Sequence, residues 1–296
     1  MSPVAVIAHN RKMLHGGLPA FRSALDERGV LNPLWCEVSK SKCAPEQVRR
    51  ALEEGANLIF VWGGDGMVQR CVDALAGSKA VLAIVPAGTA NLLASNLGIP
   101  RNIESAVEIG LSGVHRRLDL GRVNGERFAT MAGAGFDARV IRDADIDVKR
   151  RLGRMGYLLA VSKNLDAEPF DAEIEVDGTA WFQGHASCVL FGNVGRLFAG
   201  ISVFDCAQPD DGMLDLGVAT PDGWVEWTRT IARTTFSSPA KSPFVHVTKG
   251  RVIKAKLGRK VLYELDGGAR KKTRALRVEI EPAAVDVCVP APRASA

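Results

Sequence analysis

Leu58-Ile-Phe-Val-Trp-Gly-Gly-Asp-Gly-Met67 is the stretch on which the reading of this chain turns. Its first half is a short apolar run of strand formers. The run breaks at Gly63-Gly64-Asp65-Gly66, and a helix-like segment begins at Met67. A buried strand that ends in a glycine turn and then a helix N-terminus suits a phosphate: the backbone can approach closely, N–H groups point outward, and the helix end favours negative charge. Val81–Val85, the turn Pro86-Ala-Gly88, and Thr89 with Asn91 at a helix start repeat the device. Two such turns at the ends of neighbouring parallel strands open on one edge of a sheet, where α/β proteins bind ligands. Spacing alone also suits a plain strand–helix turn. Neither G-x-x-x-x-G-K-[ST] nor G-x-G-x-x-G follows the first strand.

The bulk composition is that of a folded protein with ordinary cores. The chain has 296 residues, 47% hydrophobic and 24% charged, enough for one large or two ordinary domains. A net charge of +5 suits a nucleotide, an anionic membrane surface or a nucleic acid about equally. A nucleic-acid role has little support, because the basic residues lack interleaved aromatics and only 6% of the chain is aromatic. The six cysteines form no C-x-x-C pair and read as reduced cytosolic thiols. The N-terminus lacks the basic and apolar regions of a signal peptide, and the uncharged run 80–100 is broken by Pro86, Gly88 and Gly98. A cytoplasmic location is expected.

Strand Val4–Ala8, Leu18, Phe21 and Leu25 at helical spacing, a strand near Leu34–Val38 and a helix over Pro45–Glu54 precede the opening stretch. Helices over Val68–Leu75, near Asn91–Leu97 and over Ile103–Leu111 follow. This alternation predicts a doubly wound, mostly parallel sheet. The character changes near Leu118. Asn124-Gly125 and Asp177-Gly178 read as hairpin turns. Short alternating segments run on through Ala186–Gly192, Met213–Ala219, Phe244–Thr248, Arg251–Lys256, Val261–Leu265 and Arg274–Glu281. Two helical inserts, Met155–Leu165 and Trp224–Thr235, interrupt them. The reading is an α/β domain over 1–119, completed by a C-terminal strand within 285–296, and an antiparallel β-sandwich domain over 120–284.

Gly63-Gly64-Asp65-Gly66 with Pro86-Ala-Gly-Thr-Ala-Asn91-Leu-Leu-Ala94 resembles the catalytic domain of the diacylglycerol kinase family, which includes soluble bacterial lipid kinases and the sphingosine and ceramide kinases. The resemblance continues through Gly133-Ala-Gly-Phe-Asp137-Ala, Pro209-Asp210-Asp211-Gly212-Met-Leu-Asp215 and Asp266-Gly267. NAD kinases share the first element only. The resemblance implies the two-domain plan just read, with ATP and Mg²⁺ as cofactors and a membrane lipid as acceptor. The first choice is diacylglycerol, giving phosphatidic acid. A sphingoid base, a monoacylglycerol, an isoprenoid alcohol and a non-catalytic nucleotide or lipid sensor stand as alternatives. Family members often form homodimers.

The resemblance also distributes roles. Asn10, Gly63, Gly64, Asp65, Gly66, Gly88, Thr89 and Asn91 would hold the nucleotide, with Asp65 also handling magnesium. Asn10 matches the family's Asn-Pro-x-Ser-Gly, but Arg11 replaces the proline. Asp210, Asp211 and Asp215 would form a structural metal site, and they could equally cap a turn. Asp266 would be the general base. Here the chain departs from the family's Asp-Gly-Glu, because Gly268 stands where the glutamate belongs; Met67 likewise stands where the family has threonine. Basic clusters at Lys149–Arg151 with Arg154, at Lys254, Lys256, Arg259 and Lys260, and at Arg270–Arg274 suit either solvated faces or peripheral contact with anionic lipid.

Overall fold

The computed structural model describes residues 3–135, 169–197, 202–220 and 244–292. The chain divides into two compact units, Met1–Leu118 with Ala283–Ala296, and Asp119–Pro282. Two of the sequence expectations, the helical inserts and the Lys149–Arg154 cluster, lie outside the described residues, as do Phe136 and Asp137.

The first unit runs β1 (Val4–His9), α1 (Gly17–Asp26), β2 (Leu34–Val38), α2 (Ala44–Glu53), β3 (Leu58–Gly63), α3 (Asp65–Leu75), β4 (Val81–Pro86), α4 (Leu92–Asn96) and α5 (Ile103–Ser112). The strands pair in parallel in the order β2-β1-β3-β4. β3 and β4 are buried nearly end to end without alternation, as strands covered on both faces must be. From β1 the chain moves outward to β2 and then returns to β3 on the other side. The direction of winding therefore reverses between β1 and β3, and the residues beyond their carboxyl ends flank the crevice that this reversal leaves. Phe21 of α1 stacks on Trp62 at the end of β3, with ring centroids 5.5 Å apart. Trp62 Nε1–H also donates to the Lys12 carbonyl at 3.1 Å, which fastens the loop after β1 to the end of β3.

The second unit is built from β5 (Val114–Val123, which enters it at Asp119), β6 (Glu126–Phe128), β7 (Met131–Gly135), β8 (Phe170–Val176), β9 (Thr179–Ala186), β10 (Cys188–Gly192), β11 (Leu214–Ala219), β12 (Val245–Gly250), β13 (Val252–Val261), β14 (Tyr263–Leu265), β15 (Gly268–Ala269) and β16 (Thr273–Val289). Among the described residues one antiparallel sheet has the order β12-β11-β10-β7-β14-β15. A second antiparallel set runs β16-β13-β8-β9, with β5 against β16 and β6. β8 and β13 alternate buried and exposed residues, which leaves one face wet. Their inward residues, including Ile174, Ile253 and Leu257, join Phe191, Leu214 and Leu216 of the other sheet in one apolar cluster, as in a sandwich. Asn124-Gly125 and Asp177-Gly178 turn with both φ values positive, as two-residue hairpins require.

β16 corrects one detail of the sequence reading. Arg274–Glu281 and Val285–Val289 are not separate strands but one, pairing with β13 at its start and with β4 through Asp286 and Val287 near its end. Within the strand Ala283 has a φ of 51°. That left-handed conformation costs a residue with a Cβ ~1–2 kcal/mol. Ala283→Gly is expected to raise unfolding free energy by ~0.5–1 kcal/mol after the flexibility of the unfolded glycine is counted. A higher urea midpoint at unchanged slope would show it.

Candidate active site

In the first unit the two glycine turns are locked together. An added Cβ on Gly88 would fall 2.4 Å from the Gly64 Cα and 2.6 Å from Asn91 Oδ1, so the turns meet backbone to backbone. Asp65 closes the contact. Its Oδ2 accepts the Asn91 N–H at 2.9 Å and its Oδ1 the Leu92 N–H at 2.5 Å. The carboxylate therefore sits at the start of α4, where its negative charge is stabilised by the helix end. Asn91, in the left-handed region at φ 49°, returns the bond: its Oδ1 accepts the Gly88 N–H at 2.8 Å, and its Nδ2 donates to the Gly88 carbonyl at 3.0 Å. Thr89 is half-buried between them. Sequence reasoning picked out these residues. Their mutual clamp depends on the fold.

Gly66 differs from its neighbours. It is exposed in the first turn of α3, and a Cβ there would meet nothing within 4 Å. Internal packing does not explain a glycine at this place. An approaching ligand does, because the first-turn N–H groups of a helix have no intrahelical acceptor. We expect Gly66→Ala to leave stability unchanged or slightly raised, by up to ~1 kcal/mol, while weakening ATP binding about tenfold, read by calorimetric titration beside a melting curve. Met67 points the other way. It is 1% exposed and its side chain lies against Gly63, so it is a core residue. Asn10 is exposed beyond β1 and its N–H donates to the Val38 carbonyl at 3.0 Å. Next to it, burial pushes the His9 imidazole down, and the charges of Lys12 and Arg11 add to that, so His9 is neutral at neutral pH.

In the second unit Asp266 is 6% exposed, at φ 46° in the two-residue turn from β14 to β15. Its Oδ2 accepts the Ala129 N–H at 2.7 Å. Its Oδ1 accepts the Thr130 N–H at 2.8 Å, the Met131 N–H at 3.1 Å and the Thr130 hydroxyl. Burial holds its carboxyl above the usual carboxylate range, although the Thr130 hydroxyl and the three backbone N–H groups act to lower it. These donors tie the carboxylate to the start of β7. Glu264, on β14 two residues before Asp266, brings a second carboxylate to the turn, and its Oε2 accepts the Gly267 N–H at 2.7 Å. Sequence reasoning missed it. At Gly268 an added Cβ would lie 2.8 Å from Arg270 Nη1, the mobile end of a side chain.

Asp210 and Asp211 lie on the turn before β11, and Asp215 is in β11. Among the described residues no group of three or more His, Cys, Asp or Glu side chains is placed to hold a metal. Asp211 Oδ2 and Asp215 Oδ2 instead face Lys249 Nζ, at 2.8 and 3.3 Å. Asp210 is at an exposed position of the turn. Asp119, which sequence reasoning also missed, holds this turn from β5: its Oδ2 accepts the Gly212 N–H and its N–H donates to the Pro209 carbonyl, both at 2.7 Å. The available signal was an aspartate buried inside the apolar run Leu118-Asp119-Leu120.

The family model for the diacylglycerol kinase catalytic domain matches residues 10–123, and that for the YegS C-terminal NAD kinase β-sandwich-like domain matches residues 130–289. The chain belongs to the diacylglycerol kinase family. A Bacillus subtilis relative named diacylglycerol kinase is 31% identical over 236 residues, 76% of each chain. A YegS-like protein of Enterobacter sp., named as a lipid kinase, is 30% identical and covers 68% of this chain and 67% of its own. A crystal structure titled a diacylglycerol kinase from Bacillus anthracis superposes with a TM-score of 0.80 over 97% of both chains, at 24% identity, and speaks for the fold. An Archaeoglobus fulgidus NAD kinase solved with ATP shares the fold more distantly, with a TM-score of 0.53 at 12% identity. The family's members are lipid kinases that use ATP. No helix among the described residues is long and apolar enough to cross a membrane.

Proposed function

We propose that this kinase transfers the γ-phosphate of Mg-ATP to the free hydroxyl of diacylglycerol, giving phosphatidic acid. The observation that carries the nucleotide half is the Asp65–Asn91 clamp, which fuses two glycine turns beside the crevice between β1 and β3. The acceptor is supported by the names of the relatives and by the family match over both units. ATP fits the first unit, since Gly66 leaves open the space before α3 that a phosphate would fill. When bound, ATP supplies the phosphoryl group, and its magnesium neutralises phosphate charge while keeping mostly water and phosphate oxygens as ligands.

Little covalent work remains for the protein. The α3 N-terminus and the Gly88–Asn91 turn hold negative charge in place, and Asp65 keeps the two aligned. In the second unit Asp266 fixes the β14 turn. The carboxylates there are the acidic groups to which we assign the acceptor's hydroxyl. Contact with the membrane is peripheral in this reading. Lys254, Lys256 and Lys260 share the wet face of β13, although Lys254 already pairs with Glu175 at 2.8 Å. Each lysine near anionic lipid contributes ~1 kcal/mol.

One observation favours a second reading, a nucleotide-binding protein without turnover. Gly268 offers no carboxylate, and Asp266 is committed to backbone donors. Incubation with γ-labelled Mg-ATP and a mixed bacterial lipid extract, followed by separation of the organic phase, decides between the readings. Label running with phosphatidic acid supports the proposal. Label in a sphingoid or isoprenoid phosphate changes the substrate. Bound ATP with no organic-phase label would leave the second reading standing.

A further inference from the structure

We propose that Lys249 is a built-in cation for the Asp211–Asp215 pair, so that the turn where the family resemblance places a structural divalent metal is held by this chain's own ammonium and takes no ion. The argument starts from register. Lys249 on β12 lies directly opposite Asp215 on β11, so the two side chains leave the same sheet face as a cross-strand pair. The ammonium then meets three oxygens: Asp211 Oδ2 at 2.8 Å, Asp215 Oδ2 at 3.3 Å and the Cys206 carbonyl at 3.1 Å. An ammonium has three N–H donors, and each has an oxygen here. Two carboxylates and a backbone carbonyl are also what a hard divalent ion would take from a turn. An ion bound to both carboxylates at 2.0–2.6 Å, the usual distance for such ions, would share its space with the ammonium.

The surroundings agree. The Asp215 side chain is only 6% exposed, so its charge needs a partner close by, and the 32% exposure of Lys249 lets the ammonium reach it. Asp211 Oδ1 is taken by the Met213 N–H at 3.0 Å, leaving Oδ2 to the lysine. The effect is to tie the segment from Cys206 to Asp215 onto β12 whatever the magnesium concentration. This inference does not depend on which lipid is phosphorylated.

The test uses the full chain without nucleotide, at matched ionic strength. The readout is the part of the Mg²⁺- or Ca²⁺-induced rise in melting temperature that Asp215→Asn removes. In wild type this part is expected to be zero. In a Lys249→Ala background, where the pair is open to an ion, it is expected to reach ~3 °C or more. A cation response in wild type that Asp215→Asn abolishes would overturn the proposal, as would a Lys249→Ala protein that gains none. If Lys249→Ala fails to fold, wild type against Asp215→Asn still decides: equal responses support the built-in cation, and a lost response refutes it.

Discussion

Asp266→Ala will cost the second unit ~3–5 kcal/mol of stability, because three backbone N–H groups and a hydroxyl lose their shared acceptor in a buried place. Alanine is also less tolerant than aspartate of the left-handed conformation at this turn. Asp266→Asn is the sharper probe. It keeps one acceptor oxygen but turns an NH₂ toward an N–H donor, so a loss of ~2 kcal/mol is expected. If the residue is an anchor, the asparagine variant assayed well below its melting temperature keeps at least about a tenth of wild-type kcat. If it were the general base, kcat would fall by ~10²–10⁴ while urea unfolding stayed near wild type. The two measurements together separate the roles.

Gly88→Ala is expected to disable the nucleotide half. The new Cβ would collide with the backbone of Gly64 and with Asn91 Oδ1, neither of which is the loose end of a flexible side chain. To admit it, the turns after β3 and β4 must part, which breaks the alignment that Asp65 maintains. A destabilisation of ~1–3 kcal/mol is expected, as for other overpacked sites, together with at least a tenfold loss of ATP affinity. Gly66→Ala is the control for this experiment, since it adds the same methyl in open space, in the first turn of α3. Loss of affinity with loss of stability at Gly88, and loss of affinity alone at Gly66, would place the phosphates before α3.

The readable parts of the fold were those written locally. The unbroken apolar runs of β3 and β4, the glycine turns after them and the Asn-Gly and Asp-Gly hairpins each carry their own physical signature within a few residues. What sequence could not supply is which distant group each polar residue would meet. Asp65 was legible as a turn aspartate, but its bonds to Asn91 and Leu92 exist only because β3 and β4 pair in register. Asp266 was legible as half of an Asp-Gly turn, and its commitment to Ala129–Met131 appears only once β14 lies against β7. The aspartates near Asp211 looked like ligands because their partner, Lys249, arrives from another strand. Met67 was legible only as a departure from the family's threonine; the helical turn of α3 directs it into the core.

The most direct test of the account is steady-state turnover by the purified chain with Mg-ATP and diacylglycerol in anionic vesicles, followed as phosphatidic acid formed. The account predicts a kcat in the usual kinase range of ~1–100 s⁻¹, abolished in Gly88→Ala. Saturable ATP binding with no phosphatidic acid from the wild-type chain would contradict it.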